Sequence, residues 1–372
     1  MRALSNANTL AAERPRGLVR DWEGMMGFID ADAHVDEWAG TWEYMDQAEE
    51  RHRPVLLDPP RPGYLQKDAR PHPLWLIAGN VRLKRYRDDK LTGTTRELRE
   101  LVDVPARLRH MDELGIDVQV LYPTMFLHAV TTQPDVEWAI HGAYNRWLAA
   151  KTAESGGRLR WAYLPSVLSV ERSAAELEWA QAHGAAAVMK KGVEYNRSAS
   201  DPYFYPLYEE ANRLSMAICF HQGSGTLHSN AGEGASMQRL SVLDAFSALV
   251  NGEVPDMFPN VRWGFVEAGA SWIPYLIKEL GMRGRAARSP YDFKTGLLAH
   301  HRFYVTCDTE DDIADLVNNY GAEDYLTVGT DYSHQDASAE LQAHQVIEEL
   351  DGLAPGVAAK ITDTNGRRLY GV

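Results

Sequence analysis

Four short apolar runs in this chain each end on a residue able to hold a metal ion, and that recurrence restricts the fold more than any other feature. They are Phe28-Ile29-Asp30-Ala31-Asp32-Ala33-His34, Ala217-Ile218-Cys219-Phe220-His221, Trp263-Gly264-Phe265-Val266-Glu267 and Leu326-Thr327-Val328-Gly329-Thr330-Asp331. Side chains alternate between the two faces of a strand, so Asp32 and His34 point the same way. Strands that are polar only at their C-terminal tips describe a (β/α)8 barrel, with a packed interior and its chemistry at the top face. Candidate strands fall at 28–33, 117–123, 160–165, 185–190, 216–221, 262–267, 302–307 and 325–331, with helical patterns such as 173–183, 206–214 and 271–280 between them. Strands alternating with helices argue for a parallel sheet. A doubly wound sheet is the competitor, but it usually opens with a glycine-rich phosphate turn, and the turn after the first strand here is acidic. The expected fold is therefore α/β, a (β/α)8 TIM-type barrel.

At matched strand ends Asp32, His34, His221 and Asp331 would converge on the barrel axis. A lone Asp or His is ordinarily a core or capping residue; four in equivalent positions argue for a site. Two imidazoles and two carboxylates suit one divalent ion, Zn²⁺ first, while the oxygen of Asp32 lets Mn²⁺ or Fe²⁺ compete. Such an ion would bring the pKa of a water toward neutrality or polarise a carbonyl. Glu267, followed by Ala268, Gly269 and Ala270, is costly to bury without a partner. It could bind a metal, including a second ion, handle a proton, or pair with an arginine. His334, three residues past Asp331, would orient that carboxylate or touch substrate. His228 lies in the loop Gly223-Ser224-Gly225-Thr226-Leu227-His228, where glycine allows close approach of a substrate.

One insertion breaks the barrel rhythm. Far more chain lies between His34 and Asp117 than a crossover needs, and 37–105 reads as an insertion or lid. It carries Asp58-Pro59-Pro60-Arg61-Pro62-Gly63, then Pro71-His72-Pro73-Leu74-Trp75, then Arg82-Leu83-Lys84-Arg85-Tyr86-Arg87. Because it leaves the C-terminal end of the first strand, it begins at the mouth of the site. Trp75, Arg82 and Arg85 are candidate substrate contacts there, against the alternatives of a solvated charged face and a dimerisation arm. Residues 1–27 read as an N-terminal arm; 1–20 lack the uninterrupted apolar stretch of a secretory signal. The net charge of −14 disfavours nucleic acid or an anionic membrane as partner. No apolar stretch approaches a membrane span. Cys219 and Cys307, both inside candidate strands, suit a reducing cytoplasm.

The residues also resemble a known family. Ile29-Asp30-Ala31-Asp32-Ala33-His34 resembles the opening strand of the amidohydrolase superfamily, and the closer match is the branch related to aminocarboxymuconate semialdehyde decarboxylase. Gly329-Thr330-Asp331-Tyr332-Ser333-His334-Gln335-Asp336 resembles that branch's eighth-strand signature. Arg107-Leu108-Arg109-His110-Met111-Asp112-Glu113-Leu114-Gly115-Ile116-Asp117 is similar to its helix into strand two. Asp201-Pro202-Tyr203-Phe204-Tyr205-Pro206-Leu207-Tyr208 and Asn365-Gly366-Arg367-Arg368-Leu369-Tyr370 match two further segments. Two positions depart from the pattern: Asp32 stands where members open with His-x-His, and Glu267 where many carry a strand-six histidine.

The resemblance implies that Asp331 handles the proton and that the protein forms a homodimer. Lys190 and Lys191 end strand four, where binuclear members carry a carboxylated lysine. This branch normally lacks that feature, which favours a structural or anion-binding role for Lys190. Three functions remain open. The first is a metal-dependent hydrolase acting on an ester, amide, thioester or activated C–C bond of a small, carboxylate-bearing molecule. The second is a metal-dependent non-oxidative decarboxylase of an aromatic or unsaturated acid, and the third a ligand-binding barrel without turnover. The extra carboxylate, Glu267, tips the expectation toward hydrolysis, since like charges repel a substrate carboxylate.

Overall fold

In a computed structural model of the chain, the residues described are 27–57, 73–84, 87–225, 235–335 and 338–372. Eight parallel strands follow one another around a barrel in sequence order. They are β1 (Ile29–Val35), β2 (Val118–Pro123), β3 (Leu159–Tyr163), β4 (Ala185–Lys191), β5 (Ala217–His221), β6 (Arg262–Val266), β7 (Phe303–Cys307) and β8 (Leu326–Val328). Their side chains are almost all buried, as expected for strands wrapped by helices on the outside.

The barrel ends meet where the site is built. His34 N donates to Tyr332 O at 2.9 Å, and Asp331 N donates to Asp32 O at 2.9 Å. Gly329 makes this approach feasible: a Cβ there would fall 2.4 Å from Asp32 Cβ. Regular pairing of the last strand stops at Val328, short of the expected 331, because Asp331 turns into the left-handed region at φ +49°.

Crossover helices start and stop on local signals. Helix α1 (Val104–Leu114) opens with Asp103 accepting from Ala106 N at 2.9 Å, has a proline in its first turn, and ends on Gly115 at φ +73°. The others are α2 (Pro134–Ala153), α3 (Val170–Ala182), α4 (Tyr205–Leu214), α5 (Ala235–Gly252), α6 (Ile273–Met282), α7 (Ile313–Tyr320) and the C-terminal α8 (Asn365–Tyr370). Between β6 and its neighbours the core is aromatic: Phe246, Phe265, Trp272 and Phe303 pack with ring centroids 4.9–6.1 Å apart.

The insertion has structure of its own. Strands Val55–Leu57, Leu74–Ile77 and Asn80–Leu83 form an antiparallel sheet. That sheet lies against the loop after β2: Arg82 Nη2 donates to Ala129 O at 2.8 Å and Asn80 Nδ2 to Val130 O at 3.4 Å. The N-terminal arm up to residue 26 and the proline-rich stretch 58–72 lie outside the described residues. Among the described residues no helix is long and apolar enough to cross a membrane, and both cysteines are free and buried.

Candidate metal centre

Six buried side chains meet at the top of the barrel. Asp32 and His34 come from β1, His221 from the tip of β5, Glu267 from just past β6, and Asp331 and His334 from the loop after β8. Two overlapping ligand sets result: Asp32, His34, His221 and Glu267, and His34, Glu267, Asp331 and His334. Asp32 Oδ1 lies 3.3 Å from the Nε2 atoms of both His34 and His221. Glu267 Oε2 lies 3.3 Å from His221 Nε2 and 3.7 Å from His34 Nε2. Asp331 Oδ1 is 3.5 Å from His34 Nε2 and 2.6 Å from His334 Nδ1.

The backbone decides which nitrogen faces inward. His34 Nδ1 meets Pro123 O at 3.0 Å, and His221 Nδ1 meets Gln222 O at 3.0 Å. A ring whose Nδ1–H donates to a carbonyl presents a lone pair on Nε2, the arrangement of a metal-ligating imidazole. Glu267 (φ +56°) and Asp331 (φ +49°) both hold left-handed backbone, which costs energy for residues with a side chain and recurs at functional sites.

Charge and hydrogen bonding fit a cation. Both carboxylate oxygens of Glu267 and Nε2 of His34 are buried without a hydrogen-bond partner. Burial alone would lower the pKa of His34, but Asp32 and Glu267 outweigh it and push the imidazole up to about 10. Burial would likewise raise Asp32 and Glu267, yet the histidines hold both carboxyls below their ordinary range. Three carboxylates in a water-poor cage demand positive charge, and a divalent ion meets that demand better than scattered protons. His334 is the exception. Burial first, then the charges of Arg87 and His34, bring it down to about 3, so it stays neutral. Its Nδ1 lies 2.6 Å from Asp331 Oδ1 and 3.4 Å from Glu267 Oε1, while Thr124 Oγ1 sits 3.4 Å from Nε2.

A network beneath the cage holds β1 to β8. Asp30 accepts from Thr330 N (2.8 Å), Thr330 Oγ1 (2.6 Å) and Gln119 Nε2 (2.7 Å), and Gln119 Oε1 accepts from Arg107 Nε at 2.8 Å. The sequence reading assigned no role to Asp30 or Gln119. The signal available was a second acidic residue in the opening strand, but an acid there is legible only once its partners on two other strands are known.

The remaining candidates divide. Trp75 is buried edge-on against Trp42 at 5.8 Å, inside the insertion and apart from the six-residue cage. Arg82 is tied to the loop after β2. Lys190 also stands apart from the cage. Strand register sets Lys191 beside His221 and Lys190 beside Phe220, so alternation turns Lys190 to the face away from His221. Its Nζ lies 3.3 Å from the Phe204 ring centroid and 3.6 Å from Glu194, and burial lowers it to about 8. Arg85 and His228 lie outside the described residues. Arg87, from the same basic run, is buried beside Asp36 at 3.4 Å with its charge felt at His334.

A family model described as amidohydrolase matches residues 29–372. No functionally curated protein sequence matches the chain. Among solved structures, an amidohydrolase from Mycobacterium avium subsp. paratuberculosis K-10 superposes with TM-score 0.75 at 19% identity, covering 93% of this chain and 98% of that one. A 5-carboxyvanillate decarboxylase from Novosphingobium aromaticivorans, complexed with manganese and 4-hydroxy-3-methoxy-5-nitrobenzoic acid, gives TM-score 0.58 at 16% identity over 73% and 81% of the two chains. A 4-oxalomesaconate hydratase from Rhodopseudomonas palustris gives 0.60 at 17% identity over 92% and 95%. At these identities the likeness is one of fold.

Proposed function

Since the chain belongs to the amidohydrolase family, an enzyme family, we propose that it is a metal-dependent hydrolase of a small, carboxylate-bearing substrate. Water would be the nucleophile, and the bond broken an ester, amide, thioester or activated C–C bond. The observation that carries this reading is Glu267, a third buried carboxylate in the cage with no hydrogen-bond donor on either oxygen. Asp32, His34 and His221, with Asp331 and Glu267, would hold one divalent ion, Zn²⁺ in the first instance. Such an ion supplies Lewis acidity, lowering the pKa of a water or polarising a carbonyl.

The rest falls to this chain's own side chains. Asp331, oriented by the neutral His334, accepts the proton of the attacking water and returns it to the leaving group. Glu267 adds negative charge that favours water over a second carboxylate at the centre of the cage. Arg87, on the insertion and with its charge felt at His334, would receive a substrate carboxylate away from that centre. The insertion thus acts as a lid that contributes specificity.

Arg87 also gives a second reading some ground. A guanidinium beside a metal cage can orient an aromatic or unsaturated acid for decarboxylation, the reaction named for the Novosphingobium structure. One assay separates the two. Metal-loaded protein is offered a panel of carboxylate-bearing esters, amides and thioesters, and separately a panel of hydroxylated benzoates. Hydrolysis of the first panel without CO2 release from the second is expected. CO2 release alone would transfer the assignment to decarboxylation.

A further inference from the structure

At the opposite end of the barrel a second, smaller group of ligand atoms converges. Asp256 lies on the short helix Val254–Met257 that leads toward β6, and His300 and His301 end the short helix Leu297–His301 that leads into β7. Asp256 Oδ1 is 3.5 Å from His300 Nε2 and 3.9 Å from His301 Nδ1. These gaps exceed ordinary hydrogen-bond lengths. They suit two donors meeting at one ion, each about 2.0–2.2 Å from zinc.

Tyr291 organises both imidazoles. Its ring stacks on His300 with centroids 4.3 Å apart and planes 28° apart, and its hydroxyl lies 3.0 Å from His301 Nε2. With His301 Nε2–H donating to that hydroxyl, Nδ1 carries the lone pair and faces Asp256. His301 is 4% exposed, and its Nδ1 is buried without a hydrogen-bond partner. A nitrogen so placed loses hydrogen bonding that water would have supplied, and a bound ion restores it. Burial, followed by the charges of His300, Arg302 and Arg285, lowers the pKa of His301. Arg285 is engaged by Glu253 and Asn251, and Arg302 by the carbonyls of Pro255, Val261 and His300. Both guanidiniums hydrogen-bond to other groups, and Asp256 meets Arg302 only through their charges, which leaves its oxygens to an incoming ion.

We propose that Asp256, His300 and His301 form a second divalent-metal site, able to take Zn²⁺, that clips the segment before β6 to the segment before β7. Residues at the N-terminal face of a barrel ordinarily serve stability and not chemistry. The ion would therefore stabilise the folded state and leave turnover alone, raising the melting temperature through binding to the folded form only.

The test uses the full chain with its catalytic cage already loaded. Zn²⁺ is added in excess, free metal is removed by dialysis, and bound zinc and melting temperature are measured. The wild type is compared with the double variant Asp256→Asn, His300→Gln, both at exposed or half-exposed positions. The wild type should retain one further zinc per chain and melt higher than before the addition. The double variant should keep its cage metal, fold cooperatively, and show neither change. Equal further zinc in wild type and variant, or none in either, would overturn the site. Further zinc in the wild type with an unchanged melting temperature would overturn the clip.

Discussion

Glu267 is where the chemistry divides. It stands at φ +56° in a cage with His221 Nε2 3.3 Å from one oxygen and His334 Nδ1 3.4 Å from the other. Glu267→Gln keeps the shape and removes the charge. If the carboxylate handles a proton or holds metal, turnover should fall about a hundredfold or more while the protein melts near the wild-type temperature. Near-normal turnover with a lowered melting temperature would make it a residue of the structural frame. The ligand types at this scale were readable because each ends an apolar run. The neighbours that set tautomer and charge were not. Pro123 O and Gln222 O act through the backbone, where side-chain identity carries no signal, and Thr124 Oγ1 acts from a loop that only the fold brings to His334.

Elements were legible to within a few residues, since β1 to β8 and the helices between them follow apolar periodicity and capping signals. The last strand was the exception, because the left-handed turn at Asp331 is set by closure of the barrel against β1 and not by local preference. Contacts between crossovers were invisible in the same way. Glu137 on α2 accepts from Ser166 Oγ (2.7 Å), Leu168 N (2.8 Å) and Tyr195 OH (3.2 Å), tying α2 to the loop after β3. Burial raises its carboxyl from 4.5 to about 7. The unfolded chain therefore loses this proton first as pH rises. The stability contributed is fully present below about pH 4.5 and is lost as pH passes through 7, amounting to about 3 kcal/mol. Glu137→Gln, which keeps one acceptor oxygen for Ser166 and Leu168 and turns the other into a donor toward Tyr195 OH, should gain that much on the wild type between pH 4.5 and 7.5 in denaturant titrations. A constant difference between the two proteins would contradict the assignment.

For the whole molecule, alternation of strand and helix was enough to place the fold, while the insertion's own sheet was not foreseen, its strands being only three or four residues long. On one face of that sheet Val55, Leu57, Val81 and Leu83 are exposed, an apolar surface that a second copy of this chain would cover. We propose a homodimer that uses this surface. Sedimentation at micromolar concentration should show the dimer, and a monomer would contradict it. The account depends most on the cage itself. Elemental analysis of protein purified without added metal should find one divalent ion per chain in the wild type. It should find that cage ion lost in His34→Ala or His221→Ala, both still folding cooperatively and both inactive. A metal-free variant that retains full activity would contradict the account.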